Sequence, residues 1–324
     1  MESLSAGAVK AKAKSLGFHK LGIAPASALD QDVEHLRRWL DLGYAADMDW
    51  MHDSRRQDIR QVLPDVKSVI VVAMNYNSIQ ATETHGDAKI SRYAQGRDYH
   101  KVLGKPLHHF ARWIDEQVPG TTSRSYVDTG PIQEKAWAQA AGIGWIGKNA
   151  CLITLEYGSW VFLGEVLTTL QLTPDLPHSN YCGTCTRCLT ACPTQAIVKP
   201  KIIDSRRCLA YQTIENRSKE LPSEIVESQN NWVVGCDLCQ TCCPYNQRAE
   251  RQGNFTDIID FEPRTPWPDL SLEKLAEISD EQFDLWTRGS AIRRVKAQGL
   301  RRNAAAVLKF LHTKHSSHNQ KGAK

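Results

Sequence analysis

The sequence predicts an α/β (α+β) domain, then a bacterial ferredoxin-like domain with two iron–sulfur clusters, then a short α-helical region. Three observations carry this. Over residues 1–175, apolar strand-like runs alternate with amphipathic helical stretches, the pattern of a domain layered from sheet and helix. Residues Tyr181–Pro193, YCGTCTRCLTACP, and Gly235–Pro244, GCDLCQTCCP, carry cysteines at cluster-binding intervals. After residue 250 the apolar residues recur at helical spacing. The expected divisions are residues 1–178, 179–250 and 251–324.

Taken in order, residues 1–16 and 29–42 read as helices, with Val33, Leu36 and Leu40 on one face. LGIAPA between them is a short strand and turn. Lys67–Tyr76, KSVIVVAMNY, is a continuous β-branched run of buried-strand length. Asp98–Val118 is helical and stops before Pro119-Gly120. SYVDTGPI runs from strand into turn, with Asp128 at the strand's end. Gln133–Ala141 is a helix, AGIGWIGKNACLIT a glycine-rich loop entering a strand, and SWVFLGEVLTTLQL a further strand. LTPDLPHSN breaks the pattern and marks the first boundary. LEKLAEIS and EQFDLWTRG are short helices, AIRRVKAQGLRRNAAAVLKFLH two helices around Gly299, and HTKHSSHNQKGAK a disordered tail.

Cys182, Cys185, Cys188 and Cys192 form C-x2-C-x2-C-x3-C-P, the spacing in which the fourth cysteine serves the other cluster. Cys236, Cys239 and Cys243 repeat the x2 and x3 intervals before Pro244. The second run lacks a front cysteine, and Cys208 in SRRCLAYQTIE fills that place. Eight ligands then divide into Cys182, Cys185, Cys188 and Cys243 for one 4Fe–4S cluster and Cys192, Cys208, Cys236 and Cys239 for the other. Two zinc ribbons or a disulfide knot are the competing readings. Cys242 is surplus, and an exchange with Cys243 stays open, with the proline favouring Cys243. Cys151, in the apolar run CLITL, reads as a buried small side chain.

No apolar run approaches the ~20 residues of a membrane span. The opening MESLSAGAVKAKAKSLGF has no apolar core of a signal peptide, so a cytoplasmic protein is expected. The net charge of +4 is uneven, with no acidic residue after Asp284 and ten basic ones. Without those ten, 30 basic residues face 36 acidic ones. A basic end suggests a polyanionic partner; a solvated helix face is the alternative. GIGWIG follows a helix rather than a strand, so a Rossmann site is unsupported. His100 and His108-His109 lack metal-binding helical spacing and read as surface groups. Asp128, in VDTGPIQEKAWA, sits where layered domains place ligand contacts; it reads as a helix cap or as an acid acting on substrate.

SRYAQGRDYHKVL, VDTGPIQEKAWAQAAGIGWIGKN, YGSWVFLGEVLTTL, CGTCTRCLTACPTQAI, SRRCLAYQTIEN, GCDLCQTCCPYN and GLRRNAAAVL together resemble the epoxyqueuosine reductase family over nearly the whole chain. The C-terminal end is shorter than the family's HEAT-like domain. The resemblance implies reduction of the epoxide of epoxyqueuosine, at the wobble position of a tRNA anticodon, to the alkene of queuosine. It implies a cobalamin-binding first domain, base-off cobalamin, electrons relayed through two 4Fe–4S clusters, and a basic helical end that grips tRNA. Asp128 matches the family's proton donor, and a pKa raised by burial over the corrin is expected. Arg60, Tyr93, Lys148, Asn149, Asp237 and Leu238 are the expected cobalamin contacts. Arg293, Arg294, Arg301 and Arg302 are expected to track tRNA phosphates. Trp286 is a candidate for base stacking, although such a tryptophan more often belongs to a core. A monomer fed by a flavodoxin or ferredoxin completes the expectation.

The alternatives are a corrinoid reductive dehalogenase, which predicts a twin-arginine leader not found here, a non-catalytic electron carrier, which leaves the DTGP block unexplained, and a zinc-bearing RNA-binding protein.

Overall fold

The computed structural model describes residues 4–27, 29–82 and 86–321. Its centre is a four-stranded sheet in the order Lys20–Pro25, Ser68–Asn75, Val161–Thr168, Ser123–Tyr126. Every neighbouring pair is antiparallel. The alternation of strands and helices therefore builds an α+β layer rather than a parallel α/β sheet. Ser68–Asn75 is buried along its whole length, as its unbroken β-branched run requires of a central strand covered on both faces.

Side chains alternate across that strand. Ile70, Val72 and Met74 face a core formed with Leu103, Leu107, Phe110 and Ile114 of the Tyr99–Gln117 helix. Val69, Val71 and Ala73 face a second core with Trp137 and Ala138 of the Glu134–Ala140 helix. Burying each large aliphatic or aromatic side chain contributes about 1.5–3 kcal/mol, so the two helices are fixed to opposite faces. The Asp98 side chain accepts from the His100 amide at 3.1 Å and caps the long helix at its start. That cap puts His100 in the first turn, beside the sheet's edge.

The cores do not follow the three segments. Lys89–Ile90 pairs in parallel with Trp232–Val234 of the cysteine region. A third core joins Ile90 and Ala94 to Val233, Val234 and to Leu272, Leu275, Ile292, Leu300 and Ala304 of the C-terminal helices.

The C-terminal end departs from the sequence reading. Its break lies at Lys296, whose φ of 66° is left-handed, and not at Gly299. A short 3-10 turn, Ala291–Val295, precedes one helix, Lys296–Lys321, that runs through Gly299. The tail expected to be disordered is helical to Lys321, with residues 322–324 outside the described residues. Among the described residues no helix is long and apolar enough to cross a membrane.

Candidate active site and cluster loops

The thiols fall into two gatherings. Cys188 has Cys242, Cys182 and Cys243 as close neighbours, and Cys243 has Cys182 and Cys185. Cys236 has Cys208 and Cys192 beside it, and Cys239 has Cys151, Cys208 and Cys236. The first gathering includes Cys242 as well as Cys243, and the second includes Cys151. Among the described residues no group of three or more His, Cys, Asp or Glu side chains stands close enough to hold a single ion.

Backbone amides aim at the sulfurs. Cys243 is the N-cap residue of the Pro244–Arg251 helix, and the amides of Tyr245 and Asn246 act on its thiol electrostatically. Pro244 is at the first helical position, where its missing N–H would have no partner anyway. Cys208 has the same place before the Leu209–Ile214 helix, with the amides of Tyr211 and Ala210 acting on its thiol. The Ala196 amide donates to Cys192 Sγ at 3.2 Å, and Trp145 Nε1 donates to Cys182 Sγ at 3.4 Å. Such donors stabilise thiolate and cluster charge. Cys243 is buried against Trp145 and Ile153, whereas the Cys242 thiol donates to the Cys239 carbonyl at 3.6 Å. That arrangement favours Cys243 as the ligand. Cys151 is not simply an apolar filler, because its thiol hydrogen-bonds with Cys239.

Two expected cobalamin contacts serve these loops instead. Lys148 Nζ donates to the Gly183 and Cys185 carbonyls at 2.7 and 2.9 Å. Asn149 Nδ2 donates to the Cys239 carbonyl at 3.1 Å. The glycine-rich stretch before them is a tight hairpin, where a Cβ on Gly144 would stand 2.1 Å from the Ile153 carbonyl oxygen. Its glycines answer to the chain's own backbone rather than to a flat ligand. Arg60 is exposed and paired with Asp58 at 2.8 Å, in a polar cleft shared with Arg37 and Arg56.

Asp237 and Tyr93 converge. Asp237, between two cysteines of the second set, is buried and accepts the Arg92 amide at 2.8 Å. Burial raises its pKa. A Cβ on Gly235 would stand 2.1 Å from Ser91 Oγ, so glycine is required for this loop to approach the Ser91–Tyr93 turn. Tyr93 lies within electrostatic reach of both Asp128 and Asp237, and burial followed by those charges pushes its pKa up. Leu238 packs on the Leu209, Ile225 and Trp232 cluster.

Asp128 stands at the end of the edge strand with φ at 58°, a left-handed conformation uncommon for a non-glycine residue. His100 Nε2 is 3.1 Å from Asp128 Oδ2, and His100 Nδ1 is 2.7 Å from Asp98 Oδ1. Tyr99 also hydrogen-bonds Asp128. The raised pKa expected of Asp128 is for a carboxyl covered by the corrin; for the protein alone the direction is the opposite. Crowding by the protein pushes it up, but the bonds from His100 and Tyr99 prevail and hold it below the usual carboxylate value. Half of the carboxylate side chain is open to solvent, which agrees with this direction. For His100, burial works against the charge, but the two carboxylates overcome it and raise its pKa to about 9. The two opposite directions favour the proton on the imidazole over Asp128.

An acid pair, Glu165 buried and Glu134 partly so, lies beneath the loop. Glu134 Oε1 accepts the Asp128 amide at 2.6 Å. Glu165 sits on the Val161–Thr168 strand, on the same face as Leu163 and Leu167, and is fully buried. The two carboxyls are close enough to share a proton, although neither Glu165 oxygen has a partner of regular hydrogen-bond geometry. Burial raises both, followed by the Asp128 charge for Glu134, at about 7, and by the Glu134 charge for Glu165. Sequence reasoning passed over this pair, and it set His100 aside as a surface group. The RDYH block did carry a signal, since Asp98 and His100 are two residues apart at a helix start.

The four arginines do not form one stripe. Arg293 pairs with Asp284 at 2.6 Å and Arg301 with Asp280 at 2.8 Å. Arg302 is corrected as a phosphate contact, since its donors go to the carbonyls of Gln212, Asn216 and Ser218 and to Asn303 Oδ1. It staples the final helix to the cysteine region. Arg294 grips Glu215 with two nitrogens at 2.8–3.1 Å and lies near Asp128. Trp286 packs edge-on to Trp267 at the C-terminal core.

Residues 56–129 match the family model described as Epoxyqueuosine reductase QueG, DUF1730, and residues 181–246 match the 4Fe-4S double cluster binding domain. The chain is 64% identical to an epoxyqueuosine reductase of Gloeobacter violaceus over 94% of this chain and 96% of that one. It is 52% identical to that of Synechocystis over 89% and 100% of the two chains. A solved epoxyqueuosine reductase with an epoxyqueuosine-modified tRNA-Tyr stem loop superposes with a TM-score of 0.81 at 30% identity, covering 93% of this chain and 80% of that one. A Bacillus subtilis epoxyqueuosine reductase with its catalytic aspartate loop swung out of the active site superposes at 0.80, with the same identity and coverage. The chain belongs to the epoxyqueuosine reductase family.

Proposed function

We propose that this chain reduces the epoxide of epoxyqueuosine in a tRNA anticodon to the alkene of queuosine, as a cytoplasmic monomer. Two electrons and two protons enter and one water leaves. The observation that carries the reading is the convergence at Tyr93. On one side lies Asp237, between cysteines of the second set, and on the other the Asp128–His100–Asp98 chain. The electron-bearing and proton-bearing groups thus both lie within electrostatic reach of one tyrosine.

The two cysteine sets suit two 4Fe–4S clusters, which supply electrons singly. The space bounded by Tyr93, Asp128 and Asp237 suits cobalamin, which when bound supplies the strongly reducing cobalt chemistry that side chains lack. The imidazole nearest that space, His100, is engaged by two carboxylates, which fits a cofactor held without a histidine ligand. Tyr93, Asp237 and Asp128 are the residues we assign to holding it. Asp98 orients His100, which keeps a proton at Nε2 up to about pH 9 and shares it with Asp128 Oδ2. The pair can hand that proton to an oxygen leaving carbon, and Asp128 alone, kept ionised, cannot. Glu134 fixes the Asp128 backbone amide and so the direction of the carboxylate. Arg293, Arg294 and Arg301 remain on the tRNA-facing list, and a flavodoxin or ferredoxin is the reductant.

The test is anaerobic reconstitution with iron, sulfide and cobalamin, followed by reaction with epoxyqueuosine-bearing tRNA and a low-potential reductant. Nucleoside digestion should show queuosine formed in a cobalamin-dependent way. Full conversion without bound corrin would remove the cofactor assignment, and no conversion with both cofactors loaded would remove the function.

A further inference from the structure

Stacking of an unpaired anticodon base needs an aromatic face near the active site. Trp286, the residue suggested by sequence, is taken up by Trp267. Trp50 is not. It lies on the single 3-10 turn Asp49–His52, and 43% of its surface is exposed. A lone exposed apolar residue is ordinary in itself, so the surroundings decide.

Three connections place Trp50 at the rim of the site. The Arg294 guanidinium lies over its ring, 5.0 Å from the centroid. Glu215 holds that guanidinium with two hydrogen bonds, so it is not free to swing away. Arg56 Nε donates to the Trp50 carbonyl at 3.1 Å, while its other nitrogen donates to the Ile132 carbonyl at 3.0 Å, just beyond Asp128. Arg294 and Arg56 both lie within electrostatic reach of Asp128. The turn carrying Trp50 is therefore tied to the loop carrying Asp128, and its ring is set by an arginine facing the same carboxylate.

We propose that Trp50, with Arg294 laid against it, is the stacking seat for an unpaired anticodon base next to the modified nucleoside. The inference rests on the tRNA reading given above. A nucleobase presents a flat π-face, and indole and guanidinium planes are the surfaces on which unpaired bases stack. Glu215 offsets the Arg294 charge, which suits a neutral base better than a phosphate. Seating the neighbouring base positions the modified one over Asp128 and distinguishes an anticodon loop from a duplex.

The experiment uses the reconstituted holoenzyme and an anticodon stem-loop with 2-aminopurine beside the modified position. Binding to the wild type should quench the fluorophore. Trp50→Ala should weaken binding about tenfold, the size that one base–aromatic stack supports, and abolish the quench. Trp50→Phe keeps a π-face and should restore most of both, which a merely structural role for the indole would not predict. Equal binding and quench in Trp50→Ala, beside a wild type that converts an epoxyqueuosine-bearing stem-loop, would overturn the seat and leave the reaction standing. Trp50→Phe as weak as Trp50→Ala would overturn it too. A wild type that binds the stem-loop but never converts it would instead overturn the reaction.

Discussion

The electron side and the proton side of the site are built on different principles. The cysteines come from short loops, and their sulfurs are supported by amides of residues next in sequence, as at Cys208 and Cys243. The proton side draws Asp98, His100, Asp128, Glu134 and Glu165 from a helix start, an edge strand, a second helix and an inner strand. One side is written in local backbone geometry, the other in single side-chain contacts across the sheet. Substitution on the electron side should therefore be decided by ligand count, and on the proton side by charge and pH.

The largest effect is expected for Cys208→Ser, which removes a ligand of the second set. Iron should fall from about eight to about four atoms per chain, with turnover lost, whereas Cys242→Ser should keep its iron. Iron loss in Cys242→Ser and retention in Cys243→Ser would reverse the ligand assignment.

On the proton side, Asp128→Asn should slow single turnover by about 10²–10⁴-fold with iron content intact. Normal turnover would remove Asp128 from the mechanism. The raised pKa of His100 means its proton is held below the ordinary histidine value and lost as pH climbs through about 9. The wild-type rate should fall over that window, and His100→Asn should be slow throughout, without that limb. A wild-type rate that falls instead near the ordinary carboxylate range would return the proton to Asp128.

A smaller effect concerns stability. Glu134 and Glu165 are both raised, so the stability they contribute is fully present below the ordinary glutamate pKa and lost as pH rises through about 7 for Glu134. Glu165→Gln should raise the melting temperature by a few degrees at pH 8 and change it little at pH 5. Equal shifts at both pH values would mean the pair carries no buried charge.

The smallest effect is expected for Trp145→Phe. It removes the indole donor to Cys182 and should shift the potential of the first cluster to more negative values, with iron content kept. An unchanged potential would show that backbone amides alone tune that cluster.

The sequence by itself determined the cysteine sets, because cluster ligands on tight loops obey fixed intervals and leave little to long-range folding. It determined the central strand too, since six successive apolar residues, Val69–Met74, rich in β-branched side chains, suit a strand covered on both faces. Only the tertiary structure decided the direction of the strands, because antiparallel pairing leaves no mark in a run of apolar residues. It alone placed His100 between Asp98 and Asp128. Burial of Asp128 argued for a raised pKa, and only the placement of His100 between two carboxylates reversed that. The fates of Lys148 and Arg302 were likewise undecidable from residue type, since a cation becomes a clamp or a staple according to which carbonyls folding brings within reach.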